Sequence, residues 1–238
     1  GIKENDGHFK NLNETGYFVG QYQYKDNSFV RGEFSEIDNG HDFYATQTTL
    51  TPDGRRVVIG WMDMWESPMP ESADGWAGAL TLPRELIYQD NILQMRPVKE
   101  LEQLRTKKLL DESHQVDGTK VIVKNIKQYE ADVNFDLKQT NEAGIAFTNA
   151  SGDDILNVKY NKELGKVILN RAGDDPEREA ILPVSDKLEM HVYVDTSSIE
   201  IFINNGQRTF TERVYADAID LNLLTSELTE VSATVYEL

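Results

Sequence analysis

The chain has 238 residues, a formal charge of −17 at pH 7 and no cysteine. Such a charge repels nucleic acid and anionic membranes, so neither is an expected partner, and the lack of thiols excludes disulfides and thiolate metal sites. No apolar run approaches the ~18 residues of a membrane span, and no signal peptide is visible. These features lead us to expect a cytoplasmic protein.

The length suits one large all-β domain or two smaller ones. Residues 1–13 are polar and read as a loop. Residues 16–24 alternate Tyr22 and Tyr24 with Gln21 and Gln23, as a half-buried strand does. A turn at 25–28 leads to a second strand at 29–37, and a loop around Asp38 to a third at 43–50. Thr51-Pro52-Asp53-Gly54 has turn chemistry. Strands follow at 56–62, 79–82, 85–88 and 92–96, the last two forming a hairpin around Gln89-Asp90-Asn91. This meander of short strands suits a sandwich, a barrel or propeller blades.

Residues 97–110 are the one helical stretch: Val98, Leu101 and Leu104 recur at helical spacing, and Pro97 suits a helix start. We expect a linker helix at 98–108, with one domain at 1–97 and another at 109–238. Alternation then predicts strands at 119–125, 128–137, 143–148, 155–160, 164–170, 188–194, 198–204, 207–214 and 229–236. Asn204-Asn205-Gly206 is a hairpin-turn signal, and the spacing argues for a two-sheet β-sandwich.

Three motifs stand in order. The first is Asp38-Asn39-Gly40-His41-Asp42-Phe43-Tyr44-Ala45-Thr46-Gln47, followed by Gly60-Trp61-Met62. The second is Leu80-Thr81-Leu82-Pro83-Arg84-Glu85-Leu86 with Pro97-Val98-Lys99-Glu100-Leu101. The third runs from Met190-His191-Val192-Tyr193-Val194-Asp195 through Ser198-Ile199-Glu200-Ile201-Phe202 to Gly206. Together they resemble glycoside hydrolase family 32, the invertases, sucrose-6-phosphate hydrolases, levanases and inulinases.

The resemblance implies a fold and a chemistry. The fold is all-β: the last one or two blades of a five-bladed β-propeller, then a C-terminal β-sandwich. The chemistry is retaining hydrolysis of a fructosyl bond by two carboxyl groups, with sucrose, sucrose-6-phosphate or a fructan as substrate and no cofactor. The family's nucleophile, stabilising Asp and acid/base Glu sit in N-D-P, R-D-P and E-C motifs that this sequence lacks. No catalytic role is therefore assigned, the carboxylates are expected before Gly1, and the chain alone is expected to be inactive. The resemblance does imply a substrate-binding shell of Asp38, Asp42, Tyr44 and Trp61. Indole faces pack on sugars and carboxylates accept pairs of hydroxyls.

Each of these residues also has a plainer reading. Asp38-Asn39-Gly40 is ordinary turn chemistry. Trp61 ends an apolar strand and could be core. Phe43 and Tyr44 must point to opposite faces, and Tyr44, with its polar tip, is the better pocket candidate. His41 beside Asp42 could suggest a metal, but His8, His114 and His191 lie far off in sequence, so no metal site is expected. The acidic stretch Asp174-Asp175-Pro176-Glu177 has no calcium-loop spacing. As an alternative function, the chain could be a non-catalytic carbohydrate-binding or bracing module. Exposed strand edges from an incomplete propeller make homo-oligomers an expectation.

Overall fold

The computed structural model describes residues 9–65, 67–173 and 177–238. Of the acidic stretch, Asp174, Asp175 and Pro176 lie outside the described residues, as does His8.

The first part of the chain forms two sheets. Strands β1 (Gly16–Gln23) and β2 (Ser28–Glu36) pair as a two-stranded ribbon. Strands β3 (Tyr44–Leu50), β4 (Arg56–Met62), β5 (Ala79–Leu80), β6 (Arg84–Gln89) and β7 (Ile92–Pro97) form a five-stranded antiparallel sheet in the order β3-β4-β6-β7, with β5 beside β4. Its buried side carries Phe43, Val58 and Met95, with Ile37 and Leu86 packed against them.

The expected linker helix is not α-helical. A short 3-10 helix covers Lys99–Leu104, and the chain is already a strand at Lys107. Val98 and Leu101 are buried, while Leu104 points outward. A tertiary pairing wins over the helical spacing: the Thr106 N–H donates to the Glu237 carbonyl at 2.8 Å, which draws the backbone into a sheet.

The remainder is one ten-stranded sheet. Its strands are β8 (Lys107–Val123), β9 (Tyr129–Asp136), β10 (Glu142–Thr148), β11 (Asp154–Asn161), β12 (Lys166–Arg171), β13 (Arg178–Ile181), β14 (Lys187–Asp195), β15 (Ser198–Ile203), β16 (Arg208–Arg213) and β17 (Asp220–Glu237). Strand β17 is the spine. Its first half pairs with β10, its second half with β9, and β8 runs along both, with a register break between Thr225 and Thr229. One arm is therefore β10-β11-β12-β13 and the other β9-β14-β15-β16. Both arms feed a single core, for example Ile145, Val158 and Leu169 from one and Val133, Val192 and Ile201 from the other. The sheet curls around that core as a nearly closed barrel.

Alternation decides what β15 offers to each side. Ile199, Ile201 and Ile203 enter the large core. Glu200 and Phe202 face the other way, and there Phe202 joins Val98, Leu101 and Tyr193 in a second cluster. The five-stranded sheet docks against this outer face.

Candidate functional site

The loop between β2 and β3 is bound to the edge of the ten-stranded sheet. Strand β16 ends that sheet and would otherwise leave its outer backbone groups unpaired. The loop satisfies them. Asn39 N–H donates to the Thr209 carbonyl at 2.8 Å, and Asp42 N–H to the Thr211 carbonyl at 3.1 Å. The strand's own donors meet carboxylates. Thr211 N–H reaches Asp38 Oδ1 at 3.1 Å, and Arg213 N–H reaches Asp42 Oδ2 at 2.7 Å. Gly40 lies flat on the strand: a Cβ there would sit 2.3 Å from the backbone N and O of Thr211. The spacing D-x-G-x-D thus places two acceptors on alternate donors of an extended strand, with a residue of no side chain between them.

Arg84 closes this joint from the other sheet. It is fully buried. Its guanidinium donates to Asp38 Oδ2 at 2.9 Å, to Glu200 Oε2 at 2.6 and 3.1 Å, and to the Thr211 hydroxyl at 2.7 Å. It also lies between two rings, 5.1 Å from the centre of Phe43 and 5.0 Å from that of Phe202. Asp38 is 3% exposed, and its carboxylate accepts from Gly40 N–H, Thr211 N–H, the Thr211 hydroxyl and Arg84. Burial pushes its carboxyl above the usual range, while Arg84 and Thr211 pull it back. Burial alone would lower Arg84, but Glu200 and Asp38 outweigh it and hold the guanidinium more firmly charged.

Asp42 is 1% exposed and joins a second buried network. Its carboxylate pairs with Arg171, which also approaches Glu212 Oε2 at 3.2 Å. His41 Nδ1 lies 2.9 Å from the same Glu212 oxygen, and its backbone N–H donates to Glu212 Oε1 at 3.0 Å. Burial raises Asp42, and Glu212 adds to this. Burial also acts to raise Glu212, but His41 and Arg171 outweigh it and leave Glu212 lowered. Nearby, Glu71 accepts from Arg213 at 2.7 Å and from the Tyr215 hydroxyl at 2.8 Å. Asp42, Arg171, Arg213 and Tyr215 line a cavity of about 450 Å³.

The two aromatics lie elsewhere. Tyr44 and Trp61 are directly opposite each other across β3 and β4, half-buried on the outer face of the five-stranded sheet. Each follows a residue on the inner face. Phe43 precedes Tyr44 and is buried; Gly60 precedes Trp61, and a Cβ on it would fall 2.5 Å from the Phe43 ring. A bulge follows Tyr44, with Ala45 in the left-handed region at φ 50°. The Trp61 ring meets that of Trp65 at 5.1 Å, and Trp65 is 72% exposed. Of the four residues expected in one shell, Tyr44 and Trp61 therefore share a face, while Asp38 and Asp42 lie in the joint behind it.

Sequence reasoning missed the partners: Arg84, Glu200, Thr211, Glu212 and Arg213. A signal for some was present. A Glu inside Ile-Glu-Ile-Phe-Ile and an Arg after Leu-Thr-Leu-Pro are charges in apolar strands, and such charges need a buried counter-charge. Also missed was Glu36, whose carboxyl is pushed up to about 8 by burial and by neighbouring Glu14.

One group could be considered for a metal. Glu130, Asp132 and His191 bring donor atoms within 4.8 Å of one another. Glu130 already accepts from Arg105 at 2.6 and 2.7 Å, from His191 at 2.7 Å and from the Tyr193 hydroxyl at 3.0 Å. An ion would have to displace the guanidinium, so this donor set fits one poorly.

Comparison with known proteins agrees along the whole chain. Residues 2–97 match the description Glycosyl hydrolases family 32 N-terminal domain, and residues 100–237 match Glycosyl hydrolases family 32 C terminal. Raffinose invertase of Escherichia coli is 34% identical over 229 residues, covering 94% of this chain and 48% of that protein. A sucrose-6-phosphate hydrolase of Staphylococcus xylosus is 34% identical over 242 residues, covering 95% of this chain and 47% of its own. Among solved structures, a family 32 β-fructofuranosidase of Bombyx mori superposes with a TM-score of 0.84 at 31% identity, over 100% of this chain and 50% of that one. The chain spans about half the length of the relatives it matches.

Proposed function

The chain belongs to glycosyl hydrolase family 32, and from that premise we propose that it is the later half of a retaining β-fructofuranosidase acting on sucrose, sucrose-6-phosphate or a fructan. In this reading residues 1–97 are the last strands of a five-bladed propeller, 98–108 the connection and 109–238 a β-sandwich. The single core shared by the two arms of the ten-stranded sheet supports the sandwich.

The reaction would pass through two displacements at the anomeric carbon. A carboxylate attacks while a carboxylic acid protonates the leaving oxygen, and that second group then activates water. No N-D-P, R-D-P or E-C motif occurs in the sequence, so the reacting carboxylates are assigned to residues outside these 238. What this chain supplies is one wall of the sugar site. Tyr44 and Trp61 would take the apolar face of the fructosyl ring. Asp38 and Asp42 would serve the same site from behind, by fixing the loop that carries Phe43 and Tyr44. The observation that carries this reading is the direct opposition of Tyr44 and Trp61 on the face away from the buried Phe43. A mutant of the Bombyx mori enzyme has been solved in complex with sucrose, which supports sucrose as the first substrate to try.

The test is hydrolysis by the complete encoded protein. Release of glucose from sucrose, with the β-anomer of fructose formed first, is the expected result; no fructosidase turnover would refute it. The 238-residue chain alone should show none. Phe18, Tyr22, Phe29 and Val30 are exposed on the β1–β2 ribbon, so the chain by itself should also self-associate on sedimentation. A cytoplasmic location is part of the proposal, checked by fractionation.

A further inference from the structure

We propose that Thr211 and Glu200, on the ten-stranded sheet, are positioning residues for the fructosyl site, acting through Arg84 and Phe43 on Tyr44 and Trp61. This rests on the reading of Tyr44 and Trp61 as the sugar wall. It assigns the C-terminal sheet a part in substrate recognition, although none of its residues would touch substrate.

The contacts form an unbroken path. The Thr211 hydroxyl donates to Asp38 Oδ2 at 2.6 Å and accepts from Arg84 at 2.7 Å, so both capacities of one hydroxyl are used and two segments are fixed relative to each other. Glu200 holds the other side of the guanidinium through two nitrogens and also accepts the Leu82 N–H at 2.9 Å. Arg84 lies 5.1 Å from the centre of the Phe43 ring, and the edge of that ring lies against Gly60, where a Cβ would fall 2.5 Å from it. A shift of Arg84 would therefore bear on Phe43 and, through it, on Gly60. The neighbours of this inner pair are the outer pair, because adjacent strand residues face opposite ways. Phe43 carries Tyr44, and Gly60 carries Trp61. The motifs D-x-G-x-D-F-Y and G-W are thus one device, with an anchored inner pair and a presented outer pair. Displacements well under 1 Å matter at such a wall, since misplacing a bound sugar by about 1 Å can cost on the order of 100-fold in rate.

Two measurements test this. In the complete protein, Thr211→Val removes the hydroxyl at constant shape, and Thr211→Ser keeps it. We expect Thr211→Val to raise KM for sucrose about tenfold, with Thr211→Ser restoring the wild-type KM. A purely structural role would instead lower the active fraction at unchanged KM, and that result would overturn the proposal. The second measurement needs no activity. In the 238-residue chain itself, Thr211→Val should speed amide hydrogen exchange in residues 39–46 and 60–62 while leaving the β14–β15 core amides unchanged. Unchanged exchange in those two segments would also overturn it. If the wild-type complete protein hydrolyses no fructoside, the functional reading fails by itself, and the exchange result still decides whether the path exists.

Discussion

Replacing Arg84 by Met should be among the most damaging single changes in this chain. The residue is fully buried, and its side chain makes four donor contacts of 2.6–3.1 Å to three partners. Met restores much of the volume, so the loss of packing between Phe43 and Phe202 is modest. The electrostatic loss is not. Two carboxylates, Asp38 and Glu200, now share one guanidinium; with it gone, both are left buried and unpaired, with side chains 0% and 3% exposed. Breaking a buried ion pair from one side costs roughly 3–5 kcal/mol, and Asp38 retains its Thr211 and Gly40 donors, so we take about 4 kcal/mol at pH 7. Asp38, already raised by burial, loses the Arg84 charge that pulls it back, so its folded pKa rises further above the unfolded value and the penalty shrinks as pH falls. Urea unfolding of the chain at pH 7 and pH 5, followed by tryptophan fluorescence, measures both effects. Adding Asp38→Asn and Glu200→Gln to Arg84→Met should recover a large part of the loss. A loss below about 1 kcal/mol, or no recovery in the triple variant, would refute the view of Arg84 as the bolt of this joint.

Three further outcomes follow from the same geometry. Gly40→Ala places a Cβ 2.3 Å from the Thr211 backbone, which cannot yield, so the loop must lift from β16; thermal unfolding should report a loss of roughly 1–3 kcal/mol. Glu36, raised to about 8 from 4.5, holds a proton in the folded chain that the unfolded chain gives up near pH 4.5. Stability should therefore fall as pH rises from about 4.5 to 8, and Glu36→Gln should flatten that slope in denaturant midpoints. Glu130 behaves in the opposite sense. Burial acts to raise it, but Arg105, His191 and Tyr193 together bring it down to about 2. Its contribution, about 3 kcal/mol for a shift from 4.5 to about 2, is present above pH 4.5 and is lost as pH falls toward 2. Glu130→Gln should remove this part of the acid transition.

Much of the strand layout was legible because alternation is a local property. The run from Met190 to Gly206 shows it: apolar residues two apart give β14 and β15, and Asn204-Asn205-Gly206 gives the turn into β16. Strand β8 was half hidden. Its start, Lys-Lys-Leu-Leu-Asp-Glu-Ser-His, is polar and mostly exposed, and is held in the sheet by backbone pairing to β17, which leaves no hydrophobic period to read. The same pairing defeated the helical spacing of Val98, Leu101 and Leu104. At the site, the opposition of Phe43 and Tyr44 followed from strand geometry, and the structure buries the first and leaves the second half-open. The burial of Asp38 and Asp42 did not follow. Their partners, Thr211 and Arg213, are some 170 residues later in the chain, and a turn sequence carries no mark of the edge strand it will cap.

The most direct test of this division of labour is a crystal structure of the complete protein with fructose bound. The account predicts the sugar ring within van der Waals distance, about 4 Å, of Trp61 and Tyr44. It also predicts Asp38 and Asp42 still accepting from the Thr211 and Arg213 N–H groups. A fructose hydroxyl bonded directly to the Asp38 or Asp42 carboxylate, with the loop released from β16, would contradict it.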